Sequence, residues 1–69
     1  MSEMPHIGQP APWELQERLA KSYEAAAASY AHELSTERDP VTRDRLAAKA
    51  KRSREQAAWH QAKAAELKR

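Results

Sequence analysis

His6, His32 and His60, the serines at 22, 29, 35 and 53, and a stripe of basic residues around Trp59 are the side chains with chemistry to offer in this sequence. A metal site needs at least two ligands on one helix face or on adjoining elements, and no Glu-x-x-His or His-x-x-x-His spacing supplies them. In an antiparallel hairpin His32 comes level with Arg45, some fifteen residues from His60, which at 1.5 Å per residue is roughly 22 Å. No intrachain metal centre is expected, and without cysteine neither a Cys-ligated zinc site nor a disulfide is possible. Ser22, Ser29, Ser35 and Ser53 have no evident base and orienting acid beside them, so nucleophilic catalysis has no candidate. No catalytic or cofactor-binding residue is assigned.

The basic stripe is more informative. Arg45, Lys49, Arg52, Gln56, Trp59 and Lys63 recur at spacings of four and three, which places an indole in the middle of a positively charged face expected to lie opposite the alanine-rich seam of the same helix. Three occupants fit such a face: a second copy of the chain, a different partner protein for which Trp59 is a hot spot, or nucleic acid. Charge is divided unevenly along the chain, residues 1–40 carrying a net −4 and residues 41–69 a net +6. An acidic first half lying alongside the second would weaken attraction to phosphate. No RNP motif, helix-turn-helix spacing or glycine-containing turn is present, so nucleic acid ranks behind protein as the partner.

Two helices would have to present these residues. Residues 1–11, with Pro5, Gly8 and Pro10, show no apolar period and are expected to form a flexible arm. Pro12 suits a first helical position and Glu14 suits a first turn, although Ala11 is a poor N-cap. Leu15, Leu19, Tyr23, Ala26, Ala27, Tyr30 and Leu34 then follow at helical spacing and predict an amphipathic helix over 12–36, with its apolar face formed by those seven side chains. Asp39-Pro40 ends that helix and starts another, giving a turn at 37–39 and a second helix over 40–68. Its seam reads Leu46, Ala50, Ser53, Ala57, His60, Ala64 and Leu67, with Ala47, Ala58 and Ala65 widening it.

So short a connection predicts an all-α, antiparallel two-helix hairpin. Placing the reversal near Arg38 and Asp39 brings Glu14 level with Lys63, Glu24 with Arg52 or Arg54, and Glu33 with Arg43 or Arg45, each pair opposite in sign. The hairpin is poor in core. Of 28 hydrophobic residues fifteen are alanine, which leaves thirteen larger side chains in a chain of 69. Chains below ~70–80 residues rarely gain more than ~3–5 kcal/mol from one core without a staple. Completion of a bundle, by oligomerisation or by docking on a larger protein, is therefore expected.

The function expected on these grounds is that of a small non-enzymatic interaction protein: an adaptor, regulator or inhibitor. The alternative is a nucleic-acid-binding protein using the basic stripe. No stretch is apolar enough to cross a membrane and the first residues lack the apolar core of a signal peptide, so a cytoplasmic chain with no membrane partner and no small-molecule substrate is expected. Small two-helix secreted proteins of the WXG type have a Trp-x-Gly turn. Here the turn is Thr36 to Asp39 and the only glycine is Gly8, so that family implies nothing for this chain.

Overall fold

The computed structural model describes residues 10–69; of the arm expected over residues 1–11, residues 1–9, His6 included, lie outside the described residues. Two helices, α1 (Pro12–Thr36) and α2 (Pro40–Lys68), pack side by side as an all-α hairpin. Cross-helix contacts run from Arg43 against Leu34 near the turn to Lys68 against Glu17 at the far end, so the helices are antiparallel. The molecule is 13 Å through its thinnest direction, close to the ~10–12 Å diameter of a single helix with side chains. It is one layer of helices, open to solvent on both broad faces.

Each helix begins as its sequence dictates. Pro12 occupies the first position of α1, where a missing N–H costs no hydrogen bond. Ala11 has no side-chain oxygen to cap with, but the Glu14 carboxylate turns back to accept from the Ala11 N–H at 2.8 Å, which is half of a capping box. At α2 the cap is complete: Oδ2 of Asp39 accepts from the Thr42 backbone N–H and from the Thr42 hydroxyl, both at 2.9 Å. Those two hydrogen bonds hold the Asp39 carboxyl below its ordinary value of 3.8, the backbone donor contributing most.

The end of α1 is tied to the start of α2. Glu37 leaves the helix in an extended conformation, φ −78° and ψ 135°, so no left-handed residue is needed here. Its N–H reaches the Glu33 and Leu34 carbonyls, while the Ser35 and Thr36 hydroxyls donate to the carbonyls of His32 and Glu33. Arg43 then donates through Nη1 to the Leu34 carbonyl at 2.9 Å and to the Glu37 carbonyl at 2.8 Å. α1 has no basic residue in its own last turn, so Arg43 supplies the positive charge favoured at a helix C-terminus. The expected Glu33–Arg43 pairing gives way to this contact with backbone oxygens.

The buried line of α2 is the alternating seam: Leu46, Ala50, Ser53, Ala57 and Ala64 are buried and His60 is half-buried. Leu67 ends it at the open margin, 42% exposed. Ala47, Ala58 and Ala65, expected to widen the seam, are exposed. On α1 the buried residues are Ala20 and Ala27, and with half-buried Trp13, Gln16, Tyr23, Tyr30 and Leu34 they give a strict alternation of three and four. Both seams therefore carry alanine every seven residues, Ala20 and Ala27 against Ala50, Ala57 and Ala64. This is the pattern that lets two helix backbones approach closely in a left-handed pair.

Two expectations about α1 are corrected by this geometry. Leu15 and Leu19 do not belong to the buried line, being 47% and 42% exposed, whereas Ala20, absent from the expected face, is 1% exposed. A helix two alanines wide at its contact has no room for a seven-residue apolar face, and the larger side chains are displaced to its flank. Nor do the helices meet in the expected charge register. Glu17 pairs with Lys68 at 2.6 Å, Glu24 accepts from Gln61, and Lys63 pairs within its own helix with Glu66 at 3.7 Å. Helical side chains lean toward the N-terminus of their own helix, by about one residue. In an antiparallel pair the two displacements add to about two residues, whereas Glu17–Lys68 and Glu24–Gln61 lie about eight residue numbers in sum beyond the expected register, so lean explains only part of the difference.

Candidate functional site

The hairpin has two flanks, and they are built differently. One contains Glu17 and Glu24 of α1 with Gln61 and Lys68 of α2, joined across the helices by the ion pair and hydrogen bond just described. At its far end Lys68 lies over the Trp13 ring, 4.8 Å from the centroid. Polar groups close this side.

The opposite flank is open. Tyr23 and Tyr30 of α1 and Lys49, Arg52, Ser53 and Gln56 of α2 line a shallow groove of about 350 Å³. Lys49 Nζ lies 5.8 Å from the centroid of the Tyr30 ring, a distance at which a cation is attracted to an aromatic face. Further from the turn, His60 stacks on Tyr23 with ring centroids 5.4 Å apart, its Nδ1 is 2.6 Å from the Gln16 amide oxygen, and Trp59 meets it edge-on at 5.0 Å. A chain of aromatic rings thus runs along this side of the seam.

Of the six residues singled out by spacing, Arg45, Lys49, Arg52, Gln56 and Trp59 are exposed and Lys63 is half-buried. The stripe was expected on the face opposite the alanine seam, and that is corrected: each of the six precedes a seam residue by one position, about 100° around the helix. All six therefore fall on the α2 side of the open flank, and Lys49, Arg52 and Gln56 line the groove beside the seam with Ser53 and Tyr30. The indole of Trp59 is 55% exposed and stands perpendicular to the His60 ring. On the α1 side, Leu15 and Leu19 share a stripe with Tyr23 and Ala26 at helical spacing, which puts two exposed leucines across from Trp59 and Lys63. The flank therefore combines apolar area with cations, and its main acidic members are Glu33, Glu55 and Glu66. Glu14 and Glu24, expected to lie level with basic residues of that stripe, belong with Glu17 to the other side of α1.

Spacing found the α2 half of this surface and missed the α1 half. The missing signal was available: counting from Trp13 in alternate steps of three and four yields Gln16, Ala20, Tyr23, Ala27, Tyr30 and Leu34, and leaves Leu15 and Leu19 outside the seam. Among the described residues no group of three or more His, Asp or Glu side chains is gathered as a metal would need. No helix among the described residues is long and apolar enough to cross a membrane.

No protein-family model, curated protein or solved structure matches this chain.

Proposed function

We propose that this chain is a small non-enzymatic interaction protein, an adaptor, regulator or inhibitor, whose contact surface is the open flank of the hairpin. One observation carries the proposal: the buried seam contains alanine, one serine and one leucine, while Leu15, Leu19 and Trp59 remain on a single exposed flank. Burying an apolar side chain of that size contributes about 1.5–3 kcal/mol, more than an alanine seam gains per residue. Such side chains left in water beside a groove mark a surface meant to be covered. The grooves are shallow and open, which suits a contact face better than a water-excluding pocket. A cytoplasmic setting agrees with the absence of cysteine.

Nucleic acid is the second reading, favoured by one feature. The carboxylates of Glu17 and Glu24 are turned away from Lys49 and Arg52, so the basic stripe keeps its charge beside stackable rings. Retention of partners by the tagged chain in an extract of its own cells separates the readings. Protein contact predicts that Leu19→Glu abolishes retention, that Ala58→Glu on the far side does not, and that nuclease has no effect. Material lost to nuclease or to added salt, and sensitive to Arg52→Glu more than to Leu19→Glu, would favour nucleic acid.

A further inference from the structure

We propose that a second copy of this chain covers the open flank, with both turns at the same end of a four-helix bundle. This rests on the reading of that flank as a contact surface, and adds what occupies it and in which direction. Two hairpins can meet face to face about a two-fold axis in two ways. If the axis is perpendicular to the helices, the turns lie at opposite ends and α2 packs on α2. Arg45, Lys49, Arg52 and Lys63 of one copy then meet the same four cations of the other across a single seam. If the axis is parallel to the helices, the turns coincide and α1 of each copy packs on α2 of its partner.

Only the second arrangement is complementary. On the open flank, where Tyr30 meets Lys49 and His60 lies between Gln16 and Tyr23, partner numbers sum to about 80. A two-fold axis along the helices preserves that level between copies. Glu33 then falls between Arg45 and Lys49 of the other copy, and Leu19 between Trp59 and Lys63. Acid meets base near the turn, and leucine meets indole further along. Leu15, Leu19 and Trp59 of each copy come together in one cluster, which supplies the large-residue core that the alanine seam lacks.

The chain contains no cysteine, so a single Arg38→Cys change puts a unique spin label at the exposed turn. Turns at one end place the two labels about one layer apart, ~10 Å plus their own reach. Turns at opposite ends place them ~40 Å apart. The proposal expects a short distance, a dimer weakened about tenfold by Glu33→Lys because each dimer holds the contact twice, and recovery when Lys49→Glu and Arg45→Glu are added. A long label distance, or a dimer indifferent to the Glu33 reversal, overturns this arrangement. If Leu19→Glu still dissociates such a dimer, the contact surface survives and only the pairing falls. A chain monomeric at all concentrations, helical by circular dichroism, overturns the second copy, and retention of a different protein through Leu19 then decides the contact surface on its own.

Discussion

Asp39 and Arg43 are two exposed residues that define the reversal of the chain, one by capping α2 and the other by closing the end of α1. Because the Asp39 carboxyl is held below its ordinary 3.8, the stabilisation it gives is fully present above that value and is lost as the pH falls through the lowered one. Amide exchange at Val41, Thr42 and Arg43 should accelerate below about pH 4 in the native chain. In Asp39→Ala the protection of these amides relative to an unstructured peptide should be low at every pH, and Asp39→Asn, which keeps an acceptor, should remove the acid step alone. Arg43→Ala should lower stability by about 0.3–1 kcal/mol, with faster exchange confined to the last turn of α1. The Asp39 cap was legible in the sequence, since Asp before Pro before an uninterrupted helical stretch has one physical meaning. The role of Arg43 was not, because it depends on backbone oxygens of the preceding helix, and no side-chain charge pattern records those.

At the scale of the elements, the close approach of α1 and α2 depends on a methyl group wherever the seams cross. Ala27 is 6% exposed and Ala57 4%, so neither site has room for a longer side chain without driving the backbones apart. Ala27→Leu or Ala57→Leu should therefore destabilise the hairpin by ~1–3 kcal/mol in thermal unfolding, while Ala58→Leu, an exposed neighbour, should change it little. If both kinds of substitution were equally tolerated, the seam would not be the contact. The α2 seam could be read directly, because its only large apolar residues, Leu46 and Leu67, are in phase with the alanines. In α1 the bulk signal misleads: Leu15 and Leu19 suggest an apolar face, yet the inner face belongs to Ala20 and Ala27. Residue size ranked the wrong way because this interface selects for smallness.

For the whole molecule, the same displacement that exposes Leu15 and Leu19 creates the surface on which function is proposed. A two-helix layer 13 Å thick cannot bury large side chains on both of its broad faces, and this one crosslinks one flank with polar groups and leaves the other apolar and basic. Trp59→Ala should weaken association by about 2 kcal/mol or more with helicity nearly unchanged in the assembled state. Arg52→Glu should give a smaller loss that diminishes with salt, since a charge at the margin of a contact acts mainly through long-range attraction. The hairpin and the α2 stripe followed from spacing alone. Which α1 residues join that stripe required the register, which charge pairing misjudged: Glu17 and Glu24 reach Lys68 and Gln61 rather than the basic residues level with them about the turn.

The central claim is that this hairpin is incomplete without something on its open flank, and thermal unfolding of the isolated chain as a function of its concentration tests it most directly. Folding coupled to association makes the midpoint rise with concentration. The midpoint should rise in this way in the native chain and in Ala58→Glu, and the rise should be abolished by Leu19→Glu. A sharp, cooperative transition at a midpoint independent of concentration, in a chain that sedimentation shows to be monomeric, would contradict it: the alanine seam would then suffice, and the exposed leucines and tryptophan would need no cover.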